Sequence, residues 1–205
     1  MDLHQQDPLR ARVSCSAQRP GKIRREVSGI ADNEKMTGLK ETTLAVKTLD
    51  SIAEPFTKYF YDEVVKAFPP QSRLVRLWAR CMWRFCVLRE YLREGENASP
   101  EPLDVFWDEQ RRLAKASWDR SRDGFSWDEH LKAFSDVRHF LKLLADLREE
   151  FIRPCFSAHT NTRRGIEFAF AELEALASHL NPEGCSKEKW DTQKRFWKSA
   201  RSRSE

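Results

Sequence analysis

The sequence predicts an all-α protein, an antiparallel bundle of about five long helices with flexible, basic termini. Three observations carry that expectation. Glycine is scarce, seven in 205 residues, about half the usual share of roughly 7%, so tight-turned sheets are disfavoured. Apolar residues recur at intervals of three and four over most of the chain, the period of a helix with one buried face. The segments between these stretches are short and carry Pro, Gly, Asn and Ser, which stop helices or start them.

Residues 1–35 are polar, broken by Pro8, Pro20 and Gly21, and lack apolar periodicity. They are expected to be disordered and to add nothing to the fold. No apolar run of about 7–15 residues marks a secretory signal. Between Pro8 and Arg25 six cations stand among serines without an acidic residue, which resembles an organellar transit peptide, against which Asp2 and Asp7 count. Met36 is a second possible start of the chain. The bundle is placed at 36–182 and a basic, Trp-containing tail at 183–205.

Leu39, Val46, Leu49, Ile52 and Phe56 open the first amphipathic stretch, which Phe60, Val64 and Phe68 continue. Pro55 inside it predicts a kinked helix or two helices, the second with proline in its first turn. Pro69 and Pro70 end the run. From about 72 to 94, Leu74, Leu77, Trp78, Cys81, Phe85, Leu88 and Leu92 form a seam, with Arg73, Arg76, Arg80 and Arg84 on a narrower stripe beside it and Trp83 and Tyr91 at its border. After the loop 94–102, Ser99 and Pro100 are read as an N-cap and first helical position. Leu103, Phe106, Trp107, Gln110, Leu113, Ala114 and Trp118 then mark a third helix. Ser126 and Glu129 have the spacing of a capping box, and Leu131, Phe134, Val137, Leu141, Leu144 and Leu147 follow in a helix of about 25 residues ended by Pro154. Beyond the polar link 159–164, Ile166, Phe170, Leu173, Ala177 and Leu180 mark the fifth, stopped at 181–184. The tail restarts at Ser186 with Trp190 and Trp197 seven residues apart.

The net charge of +4 is unevenly placed: +2 in 1–35, +4 in 186–205, and −2 between them, where residues 72–94 alone carry +4. A charged fraction of 33%, above the usual quarter or so, suits solvated helical faces, and no stretch reaches the roughly 18 apolar residues of a membrane span. A soluble, cytoplasmic protein is expected. Cys15, Cys81, Cys86, Cys155 and Cys185 are odd in number and irregularly spaced, which speaks for a reducing compartment rather than a disulfide framework or zinc site.

Glycine-rich phosphate cradles and the nucleophile elbow are missing from the sequence. A di-metal bundle needs paired Glu-x-x-His helices, and Asp136 with His139 stands alone, so neither metal nor cofactor is expected. Two patterns remain. Arg73, Arg76, Arg80 and Arg84 lie about 5–6 Å apart, near the repeat of phosphates on a single strand, and each can hold a phosphate bidentately while Trp83 or Tyr91 stacks a base. In the tail, Lys194, Arg195 and Lys198 alternate with Trp190, Phe196 and Trp197. These residues point to a non-catalytic accessory subunit contacting single-stranded nucleic acid or RNA, or else an acidic protein surface, within a larger complex.

The second pattern is Arg153 followed by His159. It resembles the R-x(4–6)-H motif of HEPN ribonucleases, helical metal-independent enzymes, and that resemblance implies Arg153 as charge stabiliser and His159 as acid and base. Pro154 departs from the polar residue usual after the Arg. A third reading is a protein-protein adaptor or secreted effector, since the C-terminal SARSRSE resembles Arg-rich C-terminal export signals.

Overall fold

The structure, a computed structural model, describes residues 31–59, 61, 67–120 and 126–201, excepting the side chains of 31–41, 59, 117, 119, 120, 197, 198, 200 and 201. Among these residues there is no strand. The elements are α1 (Ala31–Tyr59), α2 (Arg73–Glu94), α3 (Leu103–Arg120), α4 (Trp127–Leu147), a wide π turn (Arg148–Ile152), a three-residue α5 (Arg153–Cys155), α6 (Asn161–Leu180) and α7 (Lys187–Arg201). Six of them are long helices packed together, one more than the periodicity suggested. The sixth is the segment read as a flexible tail.

Four helices close a ring in the order α1, α2, α6, α4, each packed on two neighbours. Side-chain pairs give their directions. Asp50 meets Arg89 and Arg93 while Thr57 meets Met82, so α1 and α2 run antiparallel. Arg80 meets Glu172 while Leu88 approaches Gly165, so α2 and α6 do the same, and Phe56 of α1 sits edge-on to Phe85 and to Phe140 across the ring. α3 leans on α2 from outside, and of its apolar positions Ala114 alone is fully buried among the described side chains.

The α2 seam is buried as its spacing requires, every one of its seven members included. Ser72 caps it, its hydroxyl accepting from Val75 N. α1 runs through Pro55 as one helix. The proline sits on the solvent side, and burial of Leu49, Ile52 and Phe56 offsets the hydrogen bond it removes. The helix begins five residues before Met36. Phe60 and Val64 lie outside the described residues, and Phe68 is buried beyond them.

Two boundaries differ from the sequence reading. Ser99 does not cap α3, which begins after Pro102, whose carbonyl accepts from Phe106 N. α6 begins inside the polar link 159–164, at Asn161, with Thr160 as N-cap. The capping box of α4 is formed, Ser126 Oγ accepting from Glu129 N at 3.2 Å. Its core face is turned from the predicted one: His130, Ala133, Val137, Phe140, Leu144 and Leu147 are buried, and Leu131 is exposed. Near its end the helix widens, Arg153 N donating to Arg148 O five residues back, just before Pro154, whose ring a regular turn would drive into the carbonyl four residues earlier.

Candidate functional site

The arginine stripe of α2 faces α6 and is divided in its use. Arg80 Nη2 donates to Glu172 Oε1 at 2.5 Å, and Glu172 is buried. Arg84 lies between two aromatic faces, 4.5 Å from the centroid of Trp83 and 4.4 Å from that of Phe168. Burial pulls its pKa below the ordinary range, Glu172 opposing and Arg80 adding to the effect, though a guanidinium stays charged at any working pH. Arg73 and Arg76 are exposed, and among the described residues neither guanidinium has a carboxylate partner. The four thus divide: Arg73 and Arg76 stay exposed, Arg84 is wedged between aromatic rings, and Arg80 is paired, because α6 brings Glu172 to it from 92 residues away.

The bordering aromatics are also engaged. Trp83 Nε1 donates to the Glu101 carbonyl at 2.8 Å, with Arg84 over its ring. Tyr91 lies beside Gly165, whose missing Cβ would fall 3.6 Å from the Tyr91 ring. Both rings are half-buried, Trp83 with a cation over one face and Tyr91 with one edge against α6.

The basic tail forms α7, capped by Ser186. Trp190 is 4% exposed and packs on Phe68, Trp127 and His130. Phe68 lies four residues before Ser72, so the dock is at the foot of α2, where Arg73 lowers the pKa of His179 from across α6, second to burial. Lys194 faces Glu129 at the start of α4, and Arg195 bonds back to Thr192 and to the Asp191 carbonyl on its own helix. Trp197 and Lys198 lie outside the described side chains. The basic helix α7 is thus seated at the end of the bundle where α2 begins.

Arg153 and His159 are not joined by a hydrogen bond or ion pair among the described residues. Arg153 donates to Glu149 at 2.7 Å and Glu167 at 3.1 Å, and hydrogen bonds to Glu167, then Glu149, raise its pKa. Arg148 joins the same carboxylates and covers Phe170 at 4.1 Å. This network ties the end of α4 to α6. His159 is exposed beyond it.

Sequence reasoning missed Glu96. Gly95, at φ 83°, ends α2 in a backbone conformation open to glycine, and turns the next residue onto α6. The Glu96 carboxylate accepts from Asn161 N, from Thr162 N at 3.2 Å and from Thr162 Oγ1 at 2.8 Å. One sequence signal existed, an acidic residue directly after a helix-ending glycine, but nothing local names its partner.

The four described cysteines, Cys81, Cys86, Cys155 and Cys185, form no disulfide. No group of three metal-ligating side chains gathers among the described residues, where Asp136 pairs with Lys132 instead. No helix of the described residues is long and apolar enough to cross a membrane. The class defined is an all-α bundle closed by four antiparallel helices, with a basic helix docked at one end. No protein-family model matches the chain, and neither curated proteins nor solved structures provide a match.

Proposed function

We propose that the chain is a non-catalytic helical binding subunit that meets an anionic partner, nucleic acid, at the end of the bundle where Arg73, Arg76 and α7 converge. The supporting observation is the seating of Trp190 on Phe68, with ring centroids 5.3 Å apart. It sets a helix holding six Lys/Arg against two acids at the foot of α2, whose Arg73 and Arg76 have no carboxylate partner among the described residues. A single strand is preferred over a duplex because the cations follow helix faces at phosphate spacing. A reducing, cytoplasmic setting suits the odd number and irregular spacing of the cysteines.

The test is a salt titration of the full chain binding a generic single strand. Affinity should fall steeply with salt, and Arg73→Gln with Arg76→Gln together should reduce the slope of log K against log salt by about 1.4, two phosphate contacts at roughly 0.7 each. Binding indifferent to salt, or unchanged in that double variant, overturns the reading.

A further inference from the structure

His130 is the least expected member of the core. It lies in the first turns of α4 with no exposed surface. Its ring stacks on Trp127, centroids 4.9 Å apart and planes 19° from parallel, and meets Trp190 of α7 at 4.1 Å. Among the described residues neither Nδ1 nor Nε2 has a hydrogen-bond partner; the Leu180 carbonyl lies near enough to favour a charged ring without closing a bond of good geometry.

We propose that His130 is a proton-operated latch for α7: the neutral imidazole is the floor on which Trp190 seats, and the imidazolium expels that indole and frees the helix. A charged ring carries two N–H donors that require water or acceptors. Trp127 belongs to the same turn and cannot leave without unwinding α4. Trp190 can, because it is the only buried side chain among those described in α7, while α2, α4 and α6 are each held by six or more. An element with so few buried side chains among those described is the one that opens locally at least cost.

Opposing effects act on the ring. Two indole faces favour a cation, and so does the Leu180 carbonyl. Burial disfavours it and prevails, with His179 adding to the depression. The sign follows: a folded-state pKa below the ordinary value of about 6.5 leaves docking fully favoured above that pH and weakens it as pH falls toward the folded value. Among the described residues no carboxylate acts on the ring, and the α7 acids Glu188 and Asp191 are exposed. From α6 comes His179, from α2 Arg73 beside it, from α7 Lys194 and Lys189. On α4 itself Asp128 is exposed and Glu129 is committed to the Ser126 cap.

Hydrogen exchange of the full chain at about pH 7.5 and about pH 5.5, corrected for intrinsic rates, tests the latch. Protection across 187–201 should fall about tenfold or more at the lower pH while the interiors of α2 and α6 hold. His130→Phe, which keeps an aromatic floor, should keep α7 protected at both values, and His179→Gln should not. Equal protection of α7 at the two pH values, loss that persists in His130→Phe, or simultaneous loss across every helix overturns the proposal. A ring titration followed by NMR in the unaltered chain supplies a check independent of the variant's folding: the α7 amides should share the His130 midpoint, and tracking His179 instead also overturns it. That release of α7 alters nucleic-acid contact rests on the function proposed above; the exchange experiment does not depend on it.

Discussion

Glu172, buried on α6, holds Arg80 of α2 at 2.5 Å, and this contact decides how much of the arginine stripe is available to a partner. Arg80 is half exposed, with 52% of its side chain accessible, so the pair is screened and its loss should cost only about 1 kcal/mol. Glu172→Gln should therefore fold, release the guanidinium and, on the nucleic-acid reading, tighten single-strand binding with a steeper salt slope. Chemical denaturation and the salt titration measure the two effects; weaker binding in this variant would count against the stripe as a contact surface.

Glu96 should contribute to stability only where it is ionised. Burial works to raise its pKa, but donors from Asn161 N, Thr162 N and Thr162 Oγ1 outweigh it and the value is lowered. A depressed carboxylate stabilises the fold above its unfolded pKa and loses that contribution as pH falls through the folded one. Glu96→Gln should cost about 1 kcal/mol near neutrality, as caps do, and progressively less as pH falls below the ordinary carboxylate range of about 4. Urea midpoints at the two pH values would measure this.

Gly165 marks the closest approach of α2 and α6. A Cβ there would fall 3.3 Å from Leu88 Cδ1 and 3.8 Å from Leu88 Cα. Gly165→Ala gains helix propensity of about 1 kcal/mol and asks Leu88 to yield a few tenths of an ångström, so it should change stability little. Gly165→Leu meets backbone as well and should destabilise by about 1–3 kcal/mol. Similar thermal midpoints for the Leu and Ala variants would show a looser interface than this one.

The ribonuclease resemblance yields a separate expectation. Arg153 is held by two carboxylates and His159 lies outside that network. Arg153→Ala should loosen the junction of α4 with α6, visible as faster exchange there, while His159→Ala should leave stability unchanged. Neither change should alter RNA integrity on incubation with the metal-free chain. Cleavage by the unaltered chain that His159→Ala abolishes would replace the binding reading with an enzymatic one.

Local pattern was enough for the bundle's parts. The α2 seam, the Ser126–Glu129 box, the Ser186 start and the stop at Asn181 each depend on residues within one or two turns, where backbone geometry fixes which side chains are neighbours. The face of α4 was less legible. Leu131 reads as core and His130 does not, yet the aromatic contacts of Trp127 and Trp190 bury the histidine and leave the leucine outside.

By itself the sequence determined the class, the helical segments and the two basic stretches, because each is a property of neighbours along the chain. Only the tertiary structure decided that Arg80 is paired with Glu172, that Glu96 caps a helix 65 residues away, and that the tail docks as α7. Each of these is a meeting of distant side chains, and no periodicity within one helix records which partner the fold will set beside it.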